Sequence, residues 1–173
     1  SHKLMTKDKS TKNKSKSDRI PISLARLAAV QVLYQLDSSQ CQLAEAISYV
    51  KLNSISKEKR IGDESGNVSS LAEVKHSLDE GALASLMNKT LGEQQQIDYL
   101  IYSNLTADWP KERLELIVFS VLRVGVAELL GAIKAPHRVT ISEYVDIAHA
   151  FYDGSEPGLV NAILDKIAIA LTK

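Results

Sequence analysis

The sequence predicts an all-α protein of about six to seven helices, and three observations carry that prediction; its length leaves room for two packed sub-bundles. Within Arg113–Ile133, the run from Leu116 to Ile133 has only Ser120, Arg123 and Glu128 as strongly polar residues. Ser23–Asp37 and the stretch from Val160 to Leu171 repeat apolar residues at the three- and four-residue spacing of a helix. Strand-like alternation of apolar and polar residues is absent over any useful length.

The apolar run decides the architecture. A helix apolar on nearly every face must be buried, by protein or by lipid. Lipid is the poorer solvent here, because Arg123 and Glu128 would lie near mid-span at roughly 2.5–3.5 kcal/mol per charge. Gly125 and Gly131 thin the run further, and it barely reaches the ~20 residues that a bilayer needs. It is therefore predicted to be the central helix of a soluble bundle.

Composition bounds the rest. At 173 residues and 45% hydrophobic, the chain can bury one sizeable core. Its formal net charge is zero, but the charge is unevenly placed. Residues 1–19 hold seven Lys/Arg and two acids, a net +5, and the remaining 14 Lys/Arg and 19 acids give −5. A basic tail on an acidic body points to an anionic partner, with a solvated solubility tail as the plainer reading. Residues 6–19 carry no apolar side chain, so 1–19 reads as a disordered tail ahead of a single domain over 20–173. A lone Cys41 leaves no intrachain disulfide, and with no apolar leader visible the protein is expected to be cytoplasmic.

The elements follow in order. Order is expected from Ile20–Pro21, and Ser23–Asp37 forms the first helix, with Ile22, Ala25, Ala29, Val32, Leu33 and Leu36 on its core face. Leu27, Gln31 and Tyr34 line another side, and Arg26 flanks the apolar stripe. Arg26, Gln31 and Tyr34 are accordingly expected on the exposed surface. Leu43–Leu52 is a shorter amphipathic helix, followed by a polar insertion over residues 53–76. Ser77 and Glu80 read as a capping box opening a long helix to about Asn104, with Gly92 as its weak point. Pro110 suits the first turn of the central helix. Beyond Ala135–Pro136, Thr140 and Glu143 have capping-box spacing, with Val139 and Tyr144 at the staple positions. That helix is expected to stop at Asp153–Gly154. Ser155 then caps the last, whose inward residues are Val160, Ile163, Leu164, Ile167, Ala168 and Leu171. The sub-bundles divide at about 20–106 and 107–173.

A search for catalytic chemistry finds little. Cys41 has no base nearby in sequence and reads as a small core residue. His137 and His149 lack the spacing that sets two ligands on one helix face, so no metal or cofactor site is expected. Residues 154–158 (GSEPG) lack the strand and the Gly-Lys-Ser/Thr of a phosphate-binding loop. A non-catalytic binding protein is the expectation, with no catalytic residues.

Four segments then carry a resemblance. Residues 25–34 (ARLAAVQVLY) are similar to the AR..AVQ.LY signature that opens the NusB transcription antitermination family. Leu122-Arg123-Val124 with Glu128-Leu129-Leu130 resembles its central LR…EL helix. Residues 139–143 (VTISE) resemble its V-x-I-N-E segment with Ser142 for Asn, and residues 160–166 (VNAILDK) its VNGVLDK ending with Ala162 for Gly. The matches come in order and span about residues 20–171.

The resemblance implies an RNA-binding antitermination factor that joins NusE, a small-subunit ribosomal protein, on boxA-like RNA of ribosomal RNA operons and acts on the RNA polymerase elongation complex. It also implies an arginine-rich patch at the first helix, but Ile22, Ser23 and Leu24 stand where arginines are usual, and Arg26 alone remains. Lys12, Lys14, Lys16 and Arg19 of the tail are expected to supply phosphate contacts instead. By the same resemblance Arg26, Gln31, Tyr34 and Asn161 are expected at the RNA, and Tyr34 and Leu159 at the partner. The alternatives are an accessory domain like that preceding certain ribosomal RNA cytosine methyltransferases, and a protein-only helical scaffold.

Overall fold

Leu116–Ala127 is surrounded by helices on both sides, as its composition demands. A computed structural model describes residues 16–60 and 78–173, and among them it contains seven α-helices and no strand. They are α1 (Lys16–Ser39), α2 (Leu43–Arg60), α3 (Glu80–Gly92), α4 (Gln94–Ser103), α5 (Leu116–Ala127), α6 (His137–Phe151) and α7 (Glu156–Leu171). The central α5 packs against α1, α3 and α4 on one side and against α6 and α7 on the other. One continuous apolar core results.

Local chemistry explains most boundaries and corrects several expectations. α1 begins at Lys16, inside the stretch expected to be disordered, and Pro21 lies in its second turn at the loss of one backbone hydrogen bond. The Pro21 carbonyl accepts from Asp79 N at 3.1 Å, which ties the start of α1 to the start of α3. α1 closes with Gln40 in the left-handed region at φ 52°. α2 runs past Leu52 to Arg60, where residues 57–60 (KEKR) are good helix formers. The rest of the insertion, residues 61–77, lies outside the described residues.

The cap of α3 is Asp79, whose carboxylate accepts from Ala82 N at 2.9 Å, and not Ser77. The expected single helix to Asn104 breaks at Glu93, directly after Gly92, and yields α3 and α4. Pro110 opens only a single 3₁₀ turn, Lys111–Arg113, and α5 starts at Leu116 after extended backbone at Leu114 and Glu115. At its far end α5 widens into a π turn over residues 128–132, closed by Gly131 at φ +107°. A side chain there would be strained, which is why the turn ends on glycine.

α6 starts at His137, a full turn before the expected Thr140 cap, with Pro136 as its boundary residue. Thr140 and Tyr144 are consequently interior helix residues and both are buried. Ser155 stands at the N-cap position of α7 but makes no side-chain capping bond. Val160, Ile163, Leu164, Ile167 and Ala168 point inward as expected, whereas Leu171 is 39% exposed at the end of the helix. Among the described residues no helix is long and apolar enough to cross a membrane.

The tightest crossing is at Gly125. A Cβ built there would lie 3.1 Å from Leu164 Cδ1 and 3.3 Å from Tyr144 Cγ, so α5, α6 and α7 meet because this residue has no side chain. Gly125→Val is expected to lose ~1–3 kcal/mol through overpacking, read from the urea midpoint. A gain in stability would show that α7 can move aside.

Candidate nucleic-acid interface

The site is framed by a buried polar cluster. Glu128 follows the apolar α5 and has no exposed side-chain surface. Arg26 Nε donates to its Oε1 at 2.7 Å and Arg26 Nη2 to its Oε2 at 3.0 Å, a two-pronged pair between α1 and the π turn. From α6, Thr140 Oγ1 donates to Oε2 at 2.5 Å and Tyr144 Oη to Oε1 at 3.1 Å. Arg26 Nη1 also lies 3.7 Å from Glu143 Oε2, and Ser23 Oγ donates to Glu143 Oε1 at 3.2 Å. Burial works against the Arg26 charge, but the hydrogen bonds and charge of Glu128 more than offset it and the guanidinium pKa is raised. Burial, followed by the Glu128 charge, pushes the Tyr144 phenol well above its ordinary range, so it remains a donor.

Arg26 is therefore not the surface residue that the helical periodicity suggested. It is 4% exposed, and all its prongs face carboxylates of its own chain. The signal was available from the other partner: a glutamate within an otherwise apolar helix has to find a cation or several donors.

A second cluster braces the opposite face of α5. Arg123 Nε and Nη2 donate to Asp98 Oδ1 and Oδ2 at 2.7 and 2.9 Å, and Nη1 to Asp37 Oδ2 at 3.1 Å. The guanidinium also stacks on Phe119, 4.5 Å from the ring centroid. Burial raises the Asp37 pKa, opposed by Arg123 and assisted by Asp98.

The exposed surface beside these clusters is aromatic and acidic. Tyr34 on α1 is 39% exposed, and Gln31 one turn before it is half-buried. Tyr152, at the end of α6, donates from Oη to Glu115 Oε2 at 2.9 Å, which joins α6 to the residue that opens α5. Its phenol is raised by burial, then by the bond and charge of Glu115, with Glu156 and Tyr34 contributing less. Phe151 and Leu116 are exposed large apolar residues on the two elements that Tyr152 and Glu115 join.

The remaining expected site residues divide. Asn161 is exposed, but it lines a separate open groove of 630 Å³ between α6 and α7, with His137, Arg138, Ser142 and Asp165. Leu159 does not form a contact surface: it is 7% exposed and lies on the core face of α7 with Val160 and Ile163. Arg19 is exposed near the start of α1, and Lys16 is the first residue of that helix. Lys12 and Lys14 lie outside the described residues. Glu115, Phe151 and Tyr152 do not stand out in the sequence, since the Tyr152–Glu115 bond arises only from the way the end of α6 meets the start of α5.

Comparison with known proteins places this strand-free bundle. The chain belongs to the NusB family, whose model matches residues 23–169. It is 39% identical over 165 residues to the transcription antitermination protein NusB of Rhodospirillum rubrum, covering 90% of this chain and 87% of that protein. It is similar to the solved structure of T. maritima NusB, with a TM-score of 0.60 and 25% identity over 86% of this chain and 91% of the other. It is equally similar to a chain in the crystal structure of antitermination factors NusB and NusE in complex with dsRNA, with a TM-score of 0.59 and 26% identity over 88% and 98% of the two chains.

The buried cluster makes a direct energetic prediction. Glu128→Ala leaves Arg26, Thr140 and Tyr144 without their shared acceptor and is expected to cost ~3–5 kcal/mol in denaturant unfolding. A loss below ~1 kcal/mol would mean that water enters and solvates the arginine.

Proposed function

We propose that the protein is an RNA-binding transcription antitermination factor that binds boxA-like RNA of ribosomal RNA operons together with NusE, on the bacterial RNA polymerase elongation complex in the cytoplasm. The similarity to a chain in the NusB–NusE–dsRNA complex carries this reading. The relative from Rhodospirillum rubrum is itself an antitermination protein matched over 87% of its length, which favours this role over an accessory domain of a longer methyltransferase.

In this chain the Tyr34 face would meet the bases. Exposed rings at Tyr34 and Phe151 offer stacking surfaces that accept any base. Carboxylates such as Glu115 accept hydrogen bonds from base amino groups and repel phosphates, so they favour base edges over backbone. Phosphate contacts fall to Lys12, Lys14, Lys16 and Arg19. Gln31 adds an amide on the same helix as Tyr34, and Asn161 adds one from the α6–α7 groove. With Arg26 internal and Leu159 in the core, neither serves as a contact. The chain acts by binding, without a catalytic step.

Tyr34→Ala is expected to weaken RNA binding by roughly 1–3 kcal/mol if a base stacks on the ring, with little change in melting temperature. Filter binding and calorimetry on the same sample decide it: a large fall in melting temperature with intact binding would make Tyr34 structural. NusE is expected to raise the RNA affinity about 5–150-fold, with RNA raising NusE affinity by the same factor. Equal RNA affinity with and without NusE would leave two independent events and refute cooperative assembly.

A further inference from the structure

We infer that the Arg26–Glu128–Thr140–Tyr144 cluster is a positioning device that fixes the rotation and register of α1, and with them the placement of Tyr34 relative to the Tyr152–Glu115 bond. This inference rests on the RNA-binding reading of that face. The cluster and the face are built from the same three segments. Arg26 and Tyr34 lie eight residues apart on α1, and Tyr144 and Tyr152 lie eight residues apart along and just past α6. Glu128 and Glu115 flank the two ends of α5. A brace at one end of the three-helix junction therefore sets the geometry at the other.

Next to Arg26 apolar packing specifies this register weakly. The buried residues there are Ala25, Ala28, Ala29 and Val30, short side chains that offer few knobs against sliding or rotation, whereas Val32 and the larger Leu33 pack further along the helix. A two-pronged guanidinium–carboxylate pair is directional and allows one register, the use for which buried polar pairs are best attested. Rotating α1 by ~20° would carry a side-chain tip ~5 Å from the axis through ~2 Å. Productive site geometry tolerates about 0.5 Å.

The test replaces the whole cluster with apolar residues of similar size: Arg26→Met, Glu128→Leu, Thr140→Val and Tyr144→Phe together. The full-length variant and the wild type are compared for binding a boxA-like single-stranded RNA, for the dependence of that binding on salt, and for melting temperature. The expected result is a melting temperature kept or raised, RNA affinity at least tenfold weaker, and an unchanged salt slope. Affinity within twofold of wild type in a folded variant would overturn the inference while leaving the proposed function intact. A log–log salt slope shallower by ~0.7 would mean that Arg26 itself holds a phosphate, and would also overturn it. Absence of RNA binding by the wild type would overturn the proposed function and this inference with it. If the fourfold variant does not fold, Thr140→Val alone leaves Arg26 and Tyr144 on Glu128; a two- to fivefold weaker RNA affinity supports the inference and an unchanged one refutes it.

Discussion

A carboxylate with no exposed surface, set at the end of the most apolar helix of the chain, is the constraint around which the other helices are arranged. An isolated ion in such surroundings would cost tens of kcal/mol, so Glu128 has to be met by donors from other elements. Each of its neighbours is a consequence. α1 has to present Arg26 inward at a point where its core face is otherwise small and apolar. α6 has to begin at His137, a turn early, for Thr140 and Tyr144 to lie on the face that reaches Oε1 and Oε2. The switch from α to π hydrogen bonding starts at Glu128, and Gly131 then ends the helix in a conformation a side-chain-bearing residue rarely adopts.

Arg123 solves a related problem with a different balance. It lies five residues before Glu128 on the same helix, and it meets Asp98 and Asp37 where some solvent remains. Part of its attraction is therefore screened, and stacking on Phe119 supplies what the ion pairs alone do not. The two charges that argued against a lipid-facing helix are thus the two that attach α5 to its neighbours, one to α1 and α6 and the other to α1 and α4. The shared element is α1, which carries Arg26 near its middle and Asp37 near its end.

The features legible in the sequence were those that repeat. The core faces of α1 and α7 followed from apolar spacing, whereas Gly92 was legible only as a weak point in a helix expected to continue to Asn104, and the break into α3 and α4 was not. Single-residue signals were less reliable, because tertiary partners competed for the same side chains. Thr140 and Glu143 have the spacing of a capping box, but Thr140 serves Glu128 and Glu143 serves Ser23 and Arg26. Arg26 lay at the edge of the helical stripe and was assigned to solvent, since periodicity cannot detect a carboxylate 102 residues away. Leu159 failed for the complementary reason: a motif position was read as a contact, while the bundle needed an apolar side chain there. Of the candidate face, Tyr34 was visible from sequence, and Glu115, Phe151 and Tyr152 were not, because the spacing of one helix says nothing about which others end beside it.

The internal position of Arg26 also changes the physical character of the proposed RNA site. A cation at the centre of α1 would have offered phosphates a fixed donor, but it is held by Glu128 and Glu143. What remains of the proposed face is the exposed ring of Tyr34 and, at the end of α6, Tyr152 with its acceptor Glu115. On the proposed reading such a face would discriminate against backbone and in favour of stacked bases that present amino groups, which would separate affinity and selectivity along the chain. The cations lie at or before the start of α1, where contacts to phosphate are sensitive to salt and indifferent to sequence. The proposed base-directed contacts lie where α1, α5 and α6 pack together, and position matters most there. A factor divided in this way binds RNA strongly only when the strand's path is fixed at both places. That geometric demand would be the physical reason for a protein partner to raise its affinity.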